Sequence, residues 1–238
     1  MSNARTTEYA NNLSRLIQAE TISMKEQTDK SKFYAFHNIL REMFPNIFSA
    51  CSFEDFDGSF LMCWKGKKSE LEPILLMNHH DVVEAPGEWT HPAFSGKIVD
   101  GKVWGRGTLD TKGGLWGMLQ AADELAAEGF VPNRDTYFLS ACTEECGGEG
   151  ADNISTVLKD RGIHFFMVLD EGGMILHEPI GGANGTYAIV GLGEKGAADL
   201  KFIARSIGGH ASTPPKDSPL VRLGKFMAAV EKKNLFKA

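Results

Sequence analysis

Pro73-Ile-Leu-Leu-Met77, followed directly by Asn78-His-His-Asp81, is the stretch on which the fold turns. A short, continuous apolar run bounded by polar residues marks a strand buried on both faces, as in a parallel sheet covered by helices. The pattern returns downstream in Thr136-Tyr-Phe-Leu-Ser-Ala141 and in Phe165-Phe-Met-Val-Leu169. Around these runs the apolar period becomes helical. Gly113–Gly129 turns Leu115, Leu119, Ala122 and Leu125 inward and ends at Gly129, with Pro132 close behind. Glu149–Arg161 reads as a second helix. Upstream, residues 5–19 place Leu13, Leu16 and Ile17 on one face. Residues 31–44 do the same with Phe33, Phe36, Ile39, Leu40 and Met43, and Pro45 stops them. Apolar strands alternating with helices predict an α/β layer fold with a mainly parallel sheet. Ligands of such sheets bind at the carboxyl ends of the strands.

The texture loosens after Gly191. Ala197–Ile207 fits a strand through Leu200, Phe202 and Ala204, and equally a helix through Leu200, Ile203, Ala204 and Ile207. Gly208-Gly209 ends it, Pro214, Pro215 and Pro219 punctuate the next stretch, and 219–233 looks helical. A domain beginning near Leu192 would hold fewer than 50 residues, few for an independent core. The expectation is therefore a main domain over 1–191 and the start of a smaller one over 192–238, with the chain cut short.

Composition narrows the function. The 238 residues are 42% hydrophobic and 24% charged, with a net charge of −6. These are globular values and exclude a disordered chain, a coiled coil or a collagen-like repeat. Mild acidity argues against a nucleic-acid partner. No run approaches the roughly 20 apolar residues of a membrane span, and Met1–Ser14 lacks a signal-peptide core. Four cysteines do not make a disulfide scaffold, so a cytoplasmic protein with reduced thiols is expected.

The chemistry sits where each buried strand ends. His79-His80-Asp81 follows the first run, Asp110 follows Lys102-Val-Trp104 and a Gly-rich turn, Glu144-Glu145 follows the second run and Asp170-Glu171 the third. In a parallel sheet these termini share one edge. A histidine with several carboxylates and no cysteine pair suits zinc or manganese. Asp81 can accept the second N–H of His79 and orient it. Asp110 could bridge two metals, and of Glu144 and Glu145 one can bind metal while the other takes a proton. Singly, each feature has a plain reading. His80, His91 and His164 are expected to be surface or core histidines, an isolated Glu-Glu a solvated pair, and an Asp closing a strand a cap.

Six stretches, in this order, resemble one family: Leu76–Val83, Trp104–Gly114, Thr143–Gly148, Leu169–Gly173, Glu194-Lys-Gly196 and Gly208–Pro215. The chain is similar over about Leu13–Pro215 to the di-zinc metallopeptidases that include glutamate carboxypeptidase, Gly-X carboxypeptidase, aminoacylase and succinyl-diaminopimelate desuccinylase. The resemblance implies a three-layer α/β catalytic domain followed by the start of an α+β lid and dimerisation domain. It implies a metal-dependent hydrolase cutting an amide bond beside a free carboxylate in a peptide or N-acyl amino acid. It implies two zinc ions per complete site, replaceable by Mn2+ or Co2+, and a homodimer in the full-length form. His79 and Asp170 become ligands of one zinc, Asp110 the bridge and Glu145 a ligand of the second. Glu144 becomes the general base, Asp81 the partner of His79, and His210 the group that stabilises the oxyanion.

Three departures stand out. Thr111 follows the bridging Asp at a bond that is often cis in the family; Cys146 follows the Glu pair; and the family's last ligand, a C-terminal histidine, has no counterpart here. Cys142-x-x-x-Cys146 lacks a second pair with which to form a separate zinc site. Two rivals compete. Gly191-Leu-Gly-Glu-Lys-Gly196 matches a dinucleotide fingerprint, which needs a helix directly afterwards. The other is an inactive, shortened paralogue that keeps the fold and partial metal binding.

Overall fold

The computed structural model describes residues 3–179, 181–182, 184–193, 196, 200–210, 212–213 and 216–233. It divides into two compact units, Met1–Gly173 and Met174–Ala238. The first unit runs α1 (Asn3–Ile17), α2 (Ser31–Met43), α3 (Pro45–Ala50), β1 (Cys51–Phe56), β2 (Ser59–Trp64), β3 (Ile74–His79), β4 (Lys97–Val99), β5 (Lys102–Trp104), α4 (Lys112–Ala127), β6 (Thr136–Ala141), α5 (Gly150–Asp160) and β7 (Met167–Leu169). The second unit holds β8 (Met174–His177), β9 (Thr186–Ile189) and α6 (Pro219–Lys232), with β8 and β9 paired antiparallel. No helix among the described residues is long and apolar enough to cross a membrane.

The central sheet has five strands in the order β1-β2-β6-β3-β7. β2 is antiparallel to both neighbours, whereas β6, β3 and β7 are parallel, so four strands point one way and only β2 opposes them. Side chains alternate across the sheet. Phe60, Met62, Trp64 and Phe138 join Leu16, Phe36, Leu40, Leu115 and Leu119 on one face. Leu61, Cys63, Tyr137, Leu139 and Leu75 meet Ile154 and Leu158 on the other. A sheet between two helical layers explains why all six residues of β2 and of β6 are buried. The register pairs His79 with Ala141 and Leu76 with Leu169, which brings the carboxyl ends of β3, β6 and β7 to one edge.

The hairpin β1–β2 had no counterpart in the sequence expectations. It turns on Asp57-Gly58, both at positive φ (54° and 90°), the dipeptide that suits a two-residue hairpin loop. Pro45 does end α2, but it also opens α3 as its first residue, where a missing N–H costs nothing. β7 differs from expectation in burial. It is short and exposed along its length; among the described residues it lies at the sheet edge and pairs only with β3. The strand-or-helix question over 197–207 resolves to neither among the described residues, 200–207. Glu194, Lys195, Ala197–Asp199, Ala211, Pro214 and Pro215 lie outside the described residues.

α3 has no capping side chain of its own and takes one from α4. Asp123 Oδ1 accepts the backbone N–H groups of Asn46 (2.7 Å) and Ile47 (2.9 Å), and Oδ2 accepts from Asn46 Nδ2 (2.9 Å). Asp123→Ala strands these buried donors and should cost about 2 kcal/mol of stability. Urea unfolding checks this; a loss below about 0.5 kcal/mol, the range of plain surface changes, would mean that water replaces the carboxylate without penalty.

Candidate metal centre

His79 closes β3 and is buried with its ring clamped from behind. Its Nδ1 lies 3.0 Å from the Asp81 main-chain carbonyl and 3.4 Å from Asp81 Oδ1. With Nδ1–H donating there, Nε2 faces carboxylates. Asp110 Oδ1 stands 3.0 Å away, and Glu144 Oε2 and Glu171 Oε1 each 3.8 Å. Ligand atoms of His79, Asp110 and Glu145 lie within 4.8 Å of one another. The carboxylates come from three different connections. Asp110 precedes α4 across a cis bond to Thr111, Glu144 and Glu145 follow β6, and Glu171 follows β7.

Asp81 does more than orient the imidazole. Fully buried, its two oxygens accept the backbone N–H groups of Glu144 (3.2 Å) and Glu145 (3.0 Å). One carboxylate therefore sets both the histidine and the loop that carries the paired glutamates. Behind it, Thr111 is buried, and its Oγ1 accepts from Asn78 Nδ2 at 3.4 Å.

The electrostatics describe anions short of a cation. Burial raises the Glu145 carboxyl above its usual range, and Asp110 adds to this. Burial raises Glu171 as well; His79 opposes the shift, and Asp110 and Asp170 reinforce it. Burial pulls the His79 imidazolium down, but hydrogen bonding to Asp81 and its charge outweigh that and raise it to about 9. A nitrogen and several carboxylate oxygens converging on one point are the donor set of zinc or manganese. The residues fit such an ion. A cavity of about 600 Å³, lined in part by Leu76, Asn78, Met118 and Leu169, opens beside Asp110 and Glu171.

Of the expected residues, His79, Asp81, Asp110, Glu144 and Glu145 converge. Next to the expected Asp170, it is Glu171 that faces the imidazole; Asp170 Oδ1 accepts the Glu171 backbone N–H at 2.8 Å. Neighbouring residues on a strand end point to opposite sides, so the sequence offered both carboxylates, and choosing between them required the register of β7 on β3. His210 belongs to the second unit. There Ser212 N–H donates to its Nδ1 (3.3 Å), which leaves the proton of a neutral ring on Nε2.

The plain readings hold for two other histidines. His80 is fully buried, with Nδ1 against Ser140 Oγ (2.8 Å), Nε2 against the Gly58 carbonyl (3.1 Å) and its ring stacked on Phe36. His91 packs edge-on to Trp104. Cys142 and Cys146 sit near the carbonyls of Asp57 and Thr143, outside the metal-competent group. Among the described residues no helix follows Gly196 before α6, so the dinucleotide fingerprint lacks its helix.

Comparison with known proteins gives a consistent result. The model of peptidase family M20/M25/M40 matches residues 75–230. Probable carboxypeptidase S-like 2 of Dictyostelium discoideum is 37% identical over 234 residues, covering 94% of this chain and 45% of that protein. The human N-fatty-acyl-amino acid synthase/hydrolase PM20D1 is 33% identical over 220 residues, covering 90% and 44%. The chain thus spans less than half the length of these relatives. Among solved structures, human carnosine dipeptidase 1 aligns with a TM-score of 0.58 at 17% identity, covering 74% of this chain and 41% of that one. The M20 family metallo-carboxypeptidase Sso-CP2 of Sulfolobus solfataricus aligns at 0.56 and 21%, covering 71% and 40%. At these identities the likeness is one of fold.

Proposed function

The chain belongs to peptidase family M20/M25/M40, and from that premise we propose that it serves a zinc-dependent hydrolase cleaving an amide bond beside a free carboxylate, in a peptide or an N-acyl amino acid. The observation that carries this reading is the convergence of Asp110, Glu144, Glu145 and Glu171 around His79 Nε2 at the carboxyl edge of the sheet. The names of the relatives, a carboxypeptidase and an N-fatty-acyl-amino acid synthase/hydrolase, support the substrate class.

In this reading His79, Asp110 and Glu171 hold one zinc, with Glu171 taking the part expected of Asp170, and Glu145 with Asp110 holds the second. Mn2+ and Co2+ are the substitutes this donor set also accepts. Bound there, the metal supplies Lewis acidity that acidifies water and polarises the scissile carbonyl. Glu144 takes the proton of the attacking water and returns it to the leaving amine. Asp81 holds His79 and the Glu144-Glu145 loop in place throughout. His210, with its Nε2 proton free, donates to the developing oxyanion. A homodimer rests on the family resemblance, and the four free cysteines support a reducing, cytoplasmic compartment.

A panel of dipeptides and N-acyl amino acids tests the substrate class. The protein is extended for this to the length of its relatives, and each substrate is offered with a free or an amidated carboxyl. Cleavage is expected only where the carboxylate is free; equal cleavage of the amides overturns that part of the reading.

Metal stoichiometry gives a separate test on the 238-residue chain. Three protein ligands plus water make a catalytic zinc site, whereas two hold zinc weakly. Elemental analysis after dialysis should find no more than one tightly held metal per chain. Two would require a ligand in this sequence beyond those named.

A further inference from the structure

Lys112 is the one lysine among the described residues with no exposed surface. Its Nζ donates to the main-chain carbonyls of Leu16 (3.2 Å) and Ala19 (2.6 Å) and lies 5.0 Å from the Phe36 ring centre. Two neutral carbonyls and a ring, aided by the charges of Asp81 and Glu20, are incomplete compensation for taking an ammonium out of water. A methionine of similar length would fill the same space without a charge to bury. Stability alone gives little reason for a lysine here, but its position in the chain does.

Lys112 is the first residue of α4, two after Asp110. Its backbone N–H donates to the Gly107 carbonyl at 2.9 Å and so closes the turn that carries Asp110. Gly107, at the start of that turn, is buried and packs closely against Val82, but packing holds little of the turn's tip. Leu109 is 93% exposed and the Asp110 side chain 70% exposed, with His79 as its hydrogen-bond partner. Past the tip, burial resumes at Thr111 and Lys112. The Lys112 side chain then ties the turn to the end of α1, an element otherwise remote from the site in sequence.

We propose that Lys112 is a positioning residue of the metal centre: clamped on the carbonyls of Leu16 and Ala19, it fixes the turn that presents Asp110 to His79, Glu145 and Glu171. The proposal rests on the metal-centre reading above. Its physical basis is that a ligand on an exposed turn binds metal tightly only when the turn is held from behind. Supporting groups around metal ligands are typically worth about 10–100-fold in affinity.

The test is Co2+ and Zn2+ affinity of the 238-residue chain, by competition with a chelator, for the wild type, Lys112→Met and Lys112→Gln. The visible Co2+ spectrum reports coordination, and urea unfolding of the metal-free proteins reports stability. Gln keeps one donor for the carbonyls and guards against a Met variant that does not fold. Asp123→Ala, which uncaps α3 from a position in the second half of α4, controls for plain destabilisation. The expected result is a loss of about tenfold or more for Met, a smaller loss for Gln, a changed Co2+ spectrum, and unchanged affinity for Asp123→Ala. Wild-type affinity in the folded Lys112 variants overturns the proposal. Tighter binding overturns it too, because it would mean that the ammonium acts by repelling the cation. An equal loss in Asp123→Ala would reduce Lys112 to a structural role. A wild type that binds neither metal sinks the metal-centre reading, and the proposal with it.

Discussion

Glu144→Gln, introduced into the protein at the length of its relatives, is expected to lower amide hydrolysis by about 10²–10⁴-fold while leaving the metal content unchanged. Glutamine keeps the shape and hydrogen-bonding reach of the side chain but cannot take a proton from water. Glu144 stands 3.8 Å from His79 Nε2 with its side chain half exposed, so a base there is open to water. Glu145→Gln should part from it by losing metal first, because Glu145 is the member whose ligand atom closes the group with His79 and Asp110. Rate and metal are to be measured on the same samples. Near-normal turnover in Glu144→Gln would move the base elsewhere, and metal loss in that variant would make Glu144 a ligand.

The second large effect belongs to Asp81→Asn. The wild-type carboxylate receives two backbone N–H groups and flanks the Nδ1 of His79; asparagine offers one oxygen in place of two and turns an N–H₂ toward donors. Metal affinity should drop about 10–100-fold, read by equilibrium dialysis. A titration of the metal-free protein by NMR provides an independent check. Burial lowers the His79 imidazolium and Asp81 is the main influence raising it to about 9, so without that charge the value should fall. Stability shifts with pH accordingly. In the metal-free wild type, protonated His79 stabilises the fold fully below about pH 6.5, its unfolded value, and that contribution is lost as the pH rises through about 9. In the variant this alkaline loss should be smaller and set in at lower pH. An unmoved His79 titration would mean that the main-chain carbonyl, not the carboxylate, governs the ring.

How much of this was legible in the sequence depended on whether local pattern or long-range register decided the outcome. β3, β6, α4 and α5 lie within a few residues of their expected spans, because continuous apolar runs and helical periods are local signals. The hairpin β1–β2 was legible too, in Asp57-Gly58 ahead of Ser59–Trp64, though nothing in the expectations used it. β7 shows the limit. Its apolar residues announce a strand but not that it ends a sheet, since edge and centre are decided by partners far along the chain. The site divides the same way. His79, Asp81, Asp110 and Glu144-Glu145 were marked by their places after strands, whereas seeing that Glu171, beside Asp170, faces His79 required knowing how β7 is seated on β3. The supporting part of Lys112 had no sequence signal at all, because a lysine two residues past an aspartate reads as a solvated helix start.

The strand order also sets a timetable for the ribosome. β1 and β2 are joined by a two-residue turn and can pair as soon as they emerge. β3 cannot, for its neighbours are β6 and β7: Ile74 waits for Thr136, 62 residues further along, and Leu76 waits for Leu169, 93 residues further along. At about 5–20 residues per second the first wait alone lasts on the order of 3–12 s. Through that interval Ile74–Met77 is an unpaired apolar segment attached to a growing chain, the kind of segment that chaperones hold. His79 sits at its end, so the imidazole around which the carboxylates gather is made early and receives its last neighbour, Glu171, only when β7 docks. If the proposed centre takes up metal, the ion favours the seated β7 over the unseated, and expression with metal in the medium should yield more native chain than metal added after harvest.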